Sequence, residues 1–108
     1  MRTTTFIVIA LAVAAAAPIA AGQEVRGNAA DGRRLAEQWC GSCHQLDPAG
    51  VPPRANAPSL PQVAQLPSTT ALALRVFLRT SHSDMPNIQI SPADTDDLVA
   101  FILSLKGK

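Results

Sequence analysis

The chain has two cysteines, Cys40 and Cys43, set three positions apart, and His44 follows the second directly. A disulfide between them would close almost no loop and would constrain the unfolded chain very little. Yet the chain needs a staple. Its 108 residues support one small domain and exclude a multidomain enzyme. A domain this small buries a modest core and commonly gains stability from a disulfide, a metal or a bound cofactor. With the disulfide set aside, Cys40-Gly41-Ser42-Cys43-His44 must be read for the other two.

The N-terminus is read separately. Arg2 precedes an uncharged apolar run from Phe6 to Ala17, and Pro18 is followed by the small residues Ala20, Ala21 and Gly22. That order matches a secretory signal peptide, so residues 1–22 are expected to be removed by cleavage after Ala21 or Gly22. The alternative is an uncleaved anchor holding the domain to the periplasmic face. A span needs about 20 predominantly apolar residues, and Pro18 and the alanine content weaken this one. Residues 23–108 then form the domain, with no membrane span of their own. That stretch holds eight basic residues (Arg26, Arg33, Arg34, Arg54, Arg75, Arg79, Lys106, Lys108) and eight acidic ones (Glu24, Asp31, Glu37, Asp47, Asp84, Asp94, Asp96, Asp97), so it is formally neutral. No basic face is present to neutralise phosphates, and nucleic acid is not expected as a partner.

The rest reads as helices separated by long loops. Ala29 to Cys40 has helical spacing, with Leu35 and Trp39 four apart. Pro48, Pro52, Pro53, Pro58, Pro61 and Pro67 exclude a long helix or central strand between Asp47 and Pro67, leaving a loop with one helical turn near Pro61 to Gln65. Ser68, Thr69 and Thr70 offer caps for a helix over Leu72 to Arg79, where Leu74, Phe77 and Leu78 share a face. Ser91 and Pro92 open the last helix. Asp94, Asp96 and Asp97 lie in its first turns, Leu98, Phe101, Ile102 and Leu105 form its stripe, and Lys106 and Lys108 lie at its far end. Residues 23–108 show no alternating strand pattern and no repeat, so the fold class is all-α.

Two thiols at this spacing, at a helix end, suit thioether bonds to the two vinyl groups of one haem, and the adjacent histidine then places an imidazole nitrogen on the iron. Two other readings compete. A thiol-disulfide oxidoreductase also uses C-x-x-C but belongs near a βαβ pattern, and this chain shows no strands. A zinc site would need Cys40, Cys43, His44 and His82 together, and two ligands from adjacent positions make that geometry awkward. The sixth position of a haem iron separates a carrier from a catalyst or gas binder. Met85 is the only methionine beyond Met1, Pro86 follows it, and it lies in a loop between two helices. It is favoured over simple core filling, with His82 as the competing ligand.

At this point the sequence resembles class I cytochromes c of the small bacterial periplasmic kind. The resemblance covers essentially residues 23–108. It runs through Gly32 to Trp39, the cysteine pentapeptide, Ala57-Pro58-Ser59-Leu60, Met85-Pro86-Asn87 and Asp97 to Ile102. It implies three to four helices and long loops wrapped around one covalently attached haem c. In that pattern Cys40 and Cys43 carry the thioethers, His44 is the proximal iron ligand and Met85 the distal one. The carbonyl of Pro58, or of Pro52 or Pro53, would accept the second hydrogen bond of His44. Gly32 would sit where the first and last helices cross, against Phe101. Ala36 departs from the family, which often has an aromatic there, so Leu35 or Trp39 would fill that volume. With no tyrosine in the chain, Trp39, Arg54 or His82 would donate to the haem propionates.

The implied function is electron transport rather than catalysis, with redox proteins as partners and the protein a monomer in the periplasm. Leu35, Leu60, Leu74, Phe77, Leu78, Leu98, Phe101 and Ile102 are the candidate haem wall. The rival from another class is a gas-binding or catalytic c-type protein whose sixth position is open or taken by His82.

Overall fold

A computed structural model describes residues 24–108; the expected signal peptide and its cleavage site lie outside the described residues. Four helices form, α1 (Ala29–Trp39), α2 (Leu60–Gln65), α3 (Ala71–Leu78) and α4 (Pro92–Ser104), and no strand is present among the described residues. None of these helices is long and apolar enough to cross a membrane.

Each helix starts where a short polar side chain satisfies its free amides. Asn28 Oδ1 accepts from the amides of Ala30 and Asp31, and the Thr70 hydroxyl from that of Ala73. At α2, Ser59 and Gln62 form a reciprocal capping box, each side chain accepting from the other's backbone amide at 3.2 Å. Ser91 caps α4 without that reciprocity, its hydroxyl accepting from the Asp94 amide ahead of Pro92.

α4 is the central element, and the other three helices pack on it. Thr95, Leu98, Val99, Ala100, Phe101 and Ile102 are all buried on it, which is wider than the expected stripe because contact comes from three directions. Thr95 satisfies its buried hydroxyl by donating to the Ser91 carbonyl at 2.7 Å. α1 crosses α4 at Gly32. An added Cβ there would lie 1.9 Å from the Asp97 carbonyl oxygen and 2.9 Å from Phe101 Cβ. The bare backbone is what lets the helices approach this closely.

The acidic first turns of α4 also have specific partners beyond the helix dipole. Asp94 accepts from the Ser91 hydroxyl, Asp97 from the Asn28 amide at 2.7 Å, and Asp96 from Arg75 Nε on α3 at 2.7 Å. Arg75 Nη2 also donates to the Glu24 carbonyl, which holds the segment leading into α1 against α3 and α4. At the other end, Gln65 of α2 donates to the Leu105 carbonyl and Lys106 to that of Thr69.

The expected face of α3 is only partly realised. Leu74 is buried and Leu78 half-buried, but Phe77 is 45% exposed. The phase of this helix turns Ala71 and Leu74 onto α4 and carries Phe77 to its flank. The buried Ala36 leaves room beside the core for Leu35 and Trp39, both half-buried against it.

Candidate functional site

The cysteine pentapeptide begins where α1 ends. The amides of Cys40 and Gly41 both donate to the Ala36 carbonyl, and those of Cys43 and His44 both donate to the Cys40 carbonyl, at 3.0 and 2.8 Å. This tight turn carries both cysteines and His44 in one short stretch of chain. The cysteines are not bonded to each other.

A second segment orients the imidazole. His44 Nδ1 lies 2.6 Å from the Pro58 carbonyl oxygen. A carbonyl only accepts, so Nδ1 is the donor, and in the neutral imidazole this leaves the lone pair on Nε2. Pro58 directly precedes the Ser59 cap, so the α2 capping box fixes where that carbonyl points. The Leu60 amide also donates to the Gln45 carbonyl at 2.9 Å, tying the start of α2 to the segment after His44. The sequence left Pro52, Pro53 and Pro58 open as acceptors; the hydrogen bond is made to Pro58.

Arg33 of α1 holds the chain beyond His44 from the other side. Its guanidinium grips both carboxylate oxygens of Asp47, at 2.9 and 3.1 Å, and bonds Glu37 at 2.9 Å. Gln45 Nε2 donates to the Asp47 carbonyl. The hydrogen bond from Arg33 holds the Asp47 carboxyl below its ordinary range. A carboxylate whose folded value is lowered adds stability above its unfolded value and loses it as pH falls through the folded one. Asp47→Asn is therefore expected to unfold earlier than the parent at neutral pH, with the gap closing at strongly acidic pH. Denaturation midpoints across an acid series read this, and a gap independent of pH would contradict it. Both partners are exposed, so the effect is small.

Burial raises the Cys40 thiol above its ordinary value, and the neighbouring Cys43 adds to the rise. Thiol-disulfide enzymes need the opposite, a thiolate favoured at a helix N-terminus. Here Cys40 caps a helix C-terminus and Cys43 lies in the turn beyond it. The four-ligand zinc arrangement is not formed either, since no three His, Cys, Asp or Glu side chains among the described residues group as metal ligands.

Met85 and His82 lie in the loop between α3 and α4, both half-buried. Met85 takes no part in the hydrogen bonds that unite Cys40, Cys43, His44 and Pro58; His82 stacks on Phe77 with ring centroids 3.6 Å apart. The Arg33–Asp47 clamp and this stack escaped the sequence reading, because neither pair shares a helical spacing or a motif.

The comparisons agree with this geometry. The family model for cytochrome c matches residues 29–106. Cytochrome c-552 of Bradyrhizobium diazoefficiens is 32% identical over 100 residues, which covers 93% of this chain and 90% of that protein. No solved structure gives a significant match. The donor set fits the family's cofactor: two unpaired thiols and an imidazole with a free Nε2 lone pair share one turn. The chain belongs to the cytochrome c family, whose cofactor is a covalently bound haem c with its iron.

Proposed function

We propose that this protein is a periplasmic electron carrier that shuttles single electrons between redox proteins, with Cys40 and Cys43 as thioether anchors and His44 and Met85 as axial ligands. Haem c, when bound, supplies a one-electron ferrous/ferric couple. The observation that carries the reading is the 2.6 Å hydrogen bond from His44 to Pro58. It fixes the tautomer and holds the ring plane, which is what a second contact does for a metal-ligating histidine.

Met85 supplies a soft thioether, which raises the reduction potential relative to a second imidazole. It is the one methionine among the described residues, and it stands in a loop rather than in the core. Held by both His44 and Met85, the iron would be closed to substrate, and the protein would exchange electrons without catalysing bond chemistry. Buried Leu60, Leu74, Leu98 and Ile102 supply an apolar surround. The signal-like order of residues 1–22 supports export to the periplasm. The formal neutrality of residues 23–108 supports docking without strong charge steering.

Met85→Ala tests the ligand assignment. The ferric near-infrared sulfur-to-iron band of the parent is expected to vanish, and the potential to fall by about 0.1 V or more, within the roughly 0.8 V that axial ligands span. An unchanged spectrum would transfer the position to His82. A parent that is high-spin and binds carbon monoxide readily would replace the carrier with a gas-binding protein.

A further inference from the structure

We infer that His82 is a positioning residue: its ring, stacked on Phe77, pins the loop that carries Met85 to the end of α3. The inference rests on the ligand assignment above and deepens it.

The loop between α3 and α4 is fastened unevenly. At its start the amides of Arg79 and Thr80 donate to the Val76 and Phe77 carbonyls, and the Thr80 hydroxyl donates to both. Toward its end Ile88 N donates to the Pro86 carbonyl at 3.0 Å, and Ile90 packs on the core. Between them the backbone forms a single local turn at Ser83–Asp84, which links His82 to Met85 but not to any helix. Asp84 adopts φ +65°, the left-handed conformation that aspartate takes more readily than most residues and that suits this turn.

What ties this turn to α3 is the stack. The Phe77 and His82 rings lie 3.6 Å apart at 27° between planes. His82 precedes Met85 by three residues, and Phe77 belongs to the last turn of α3, a helix tied through Arg75 to Asp96 of α4. The stack therefore connects the Met85 turn to the rigid part of the fold, to which no backbone hydrogen bond ties it. It also gives Phe77, otherwise an exposed aromatic, a purpose at the flank of α3. The His82 imidazole, engaged on Phe77, supports the turn that presents Met85.

The test uses the haem-loaded protein and titrates exogenous imidazole against the sulfur-to-iron band. His82→Ala should keep the band but let imidazole displace it about 2- to 10-fold more readily, the factor an aromatic pair of ordinary strength supplies. His82→Phe should behave as the parent, because stacking survives while the nitrogens are gone. Phe77→Leu should reproduce the loosening from the other side and serves as the second variant should His82→Ala fold poorly. Titrations of His82→Ala or Phe77→Leu that match the parent would overturn the positioning role. Loss of the band in both His82→Ala and His82→Phe would make His82 the ligand instead. Met85→Ala separates the two ideas. Its band must vanish for the ligand assignment to stand, whereas positioning is read only from variants that retain Met85.

Discussion

Gly32→Ala is expected to destabilise the loaded protein by about 2 kcal/mol or more, net of the helix propensity that alanine adds. The added methyl would lie 1.9 Å from the Asp97 carbonyl oxygen and 2.5 Å from its carbon, atoms that no rotamer change can move. α4 has little room to retreat, because Asp97 holds the Asn28 amide and Asp96 holds Arg75. Separating the helices would also pull Phe101, 3% exposed, out of contact with α1. Alanine's better helix propensity returns at most about 1 kcal/mol, while overpacking a fixed backbone contact exceeds the ordinary penalty of up to about 3 kcal/mol. For a domain this size the loss lowers the thermal midpoint by about 10 °C or more. Gly107→Ala is the control. Gly107 has φ +77° and no atom within 4 Å of an added Cβ, so only its left-handed backbone penalty, about 1 kcal/mol, applies. A Gly32→Ala midpoint equal to that of Gly107→Ala would mean the helices cross less closely than described.

The features legible in the sequence are those whose cause is local. Ser91-Pro92, Thr70 and Ser59 carry their capping chemistry within three residues, so the helix starts could be read without knowing what the helices touch. The prolines between Asp47 and Pro67 forbid regular structure from their own geometry, and one short helix fits there because Pro61 stands in its first turn. Gly32 and Phe101 needed more than local chemistry, and the resemblance supplied it by pairing a small residue with an aromatic across a known crossing.

What could not be read depends on approach in space. Arg33 meets Asp47 and Arg75 meets Asp96 because loops and helices return beside them, and no spacing of charges marks one partner over another. Phe77 shows the limit of periodicity. Its place at i+3 from Leu74 assigns it to the core, but α3 has only eight residues, and a small rotation of so short a helix moves a flank residue to the surface. From the sequence His82 reads as a zinc ligand, an iron ligand or a propionate donor, because imidazole suits each. Its stacking partner was fixed only by the course of the loop.

Substituting both Cys40 and Cys43 with alanine, in a host able to attach haem c, is expected to yield exported protein lacking the added mass of one haem, an all-or-none effect on intact mass. Either single substitution leaves one sulfur, so each should keep the mass under denaturing extraction. The turn makes the sulfur and imidazole roles separable. Cys43 and His44 are both held through backbone amides on the Cys40 carbonyl, and Pro58 grips His44 independently of either thiol. The double variant therefore keeps its imidazole in place and should still bind added haem reversibly, with no retention after denaturation. His44→Ala reverses the pattern, keeping the covalent mass while changing the spectrum. If Cys40 and Cys43 instead worked as a redox pair, the parent would carry no extra mass, and one thiol would need to ionise readily. Burial acts against that at Cys40, holding the thiol in its protonated form at the end of α1, where the helix dipole offers a thiolate no help.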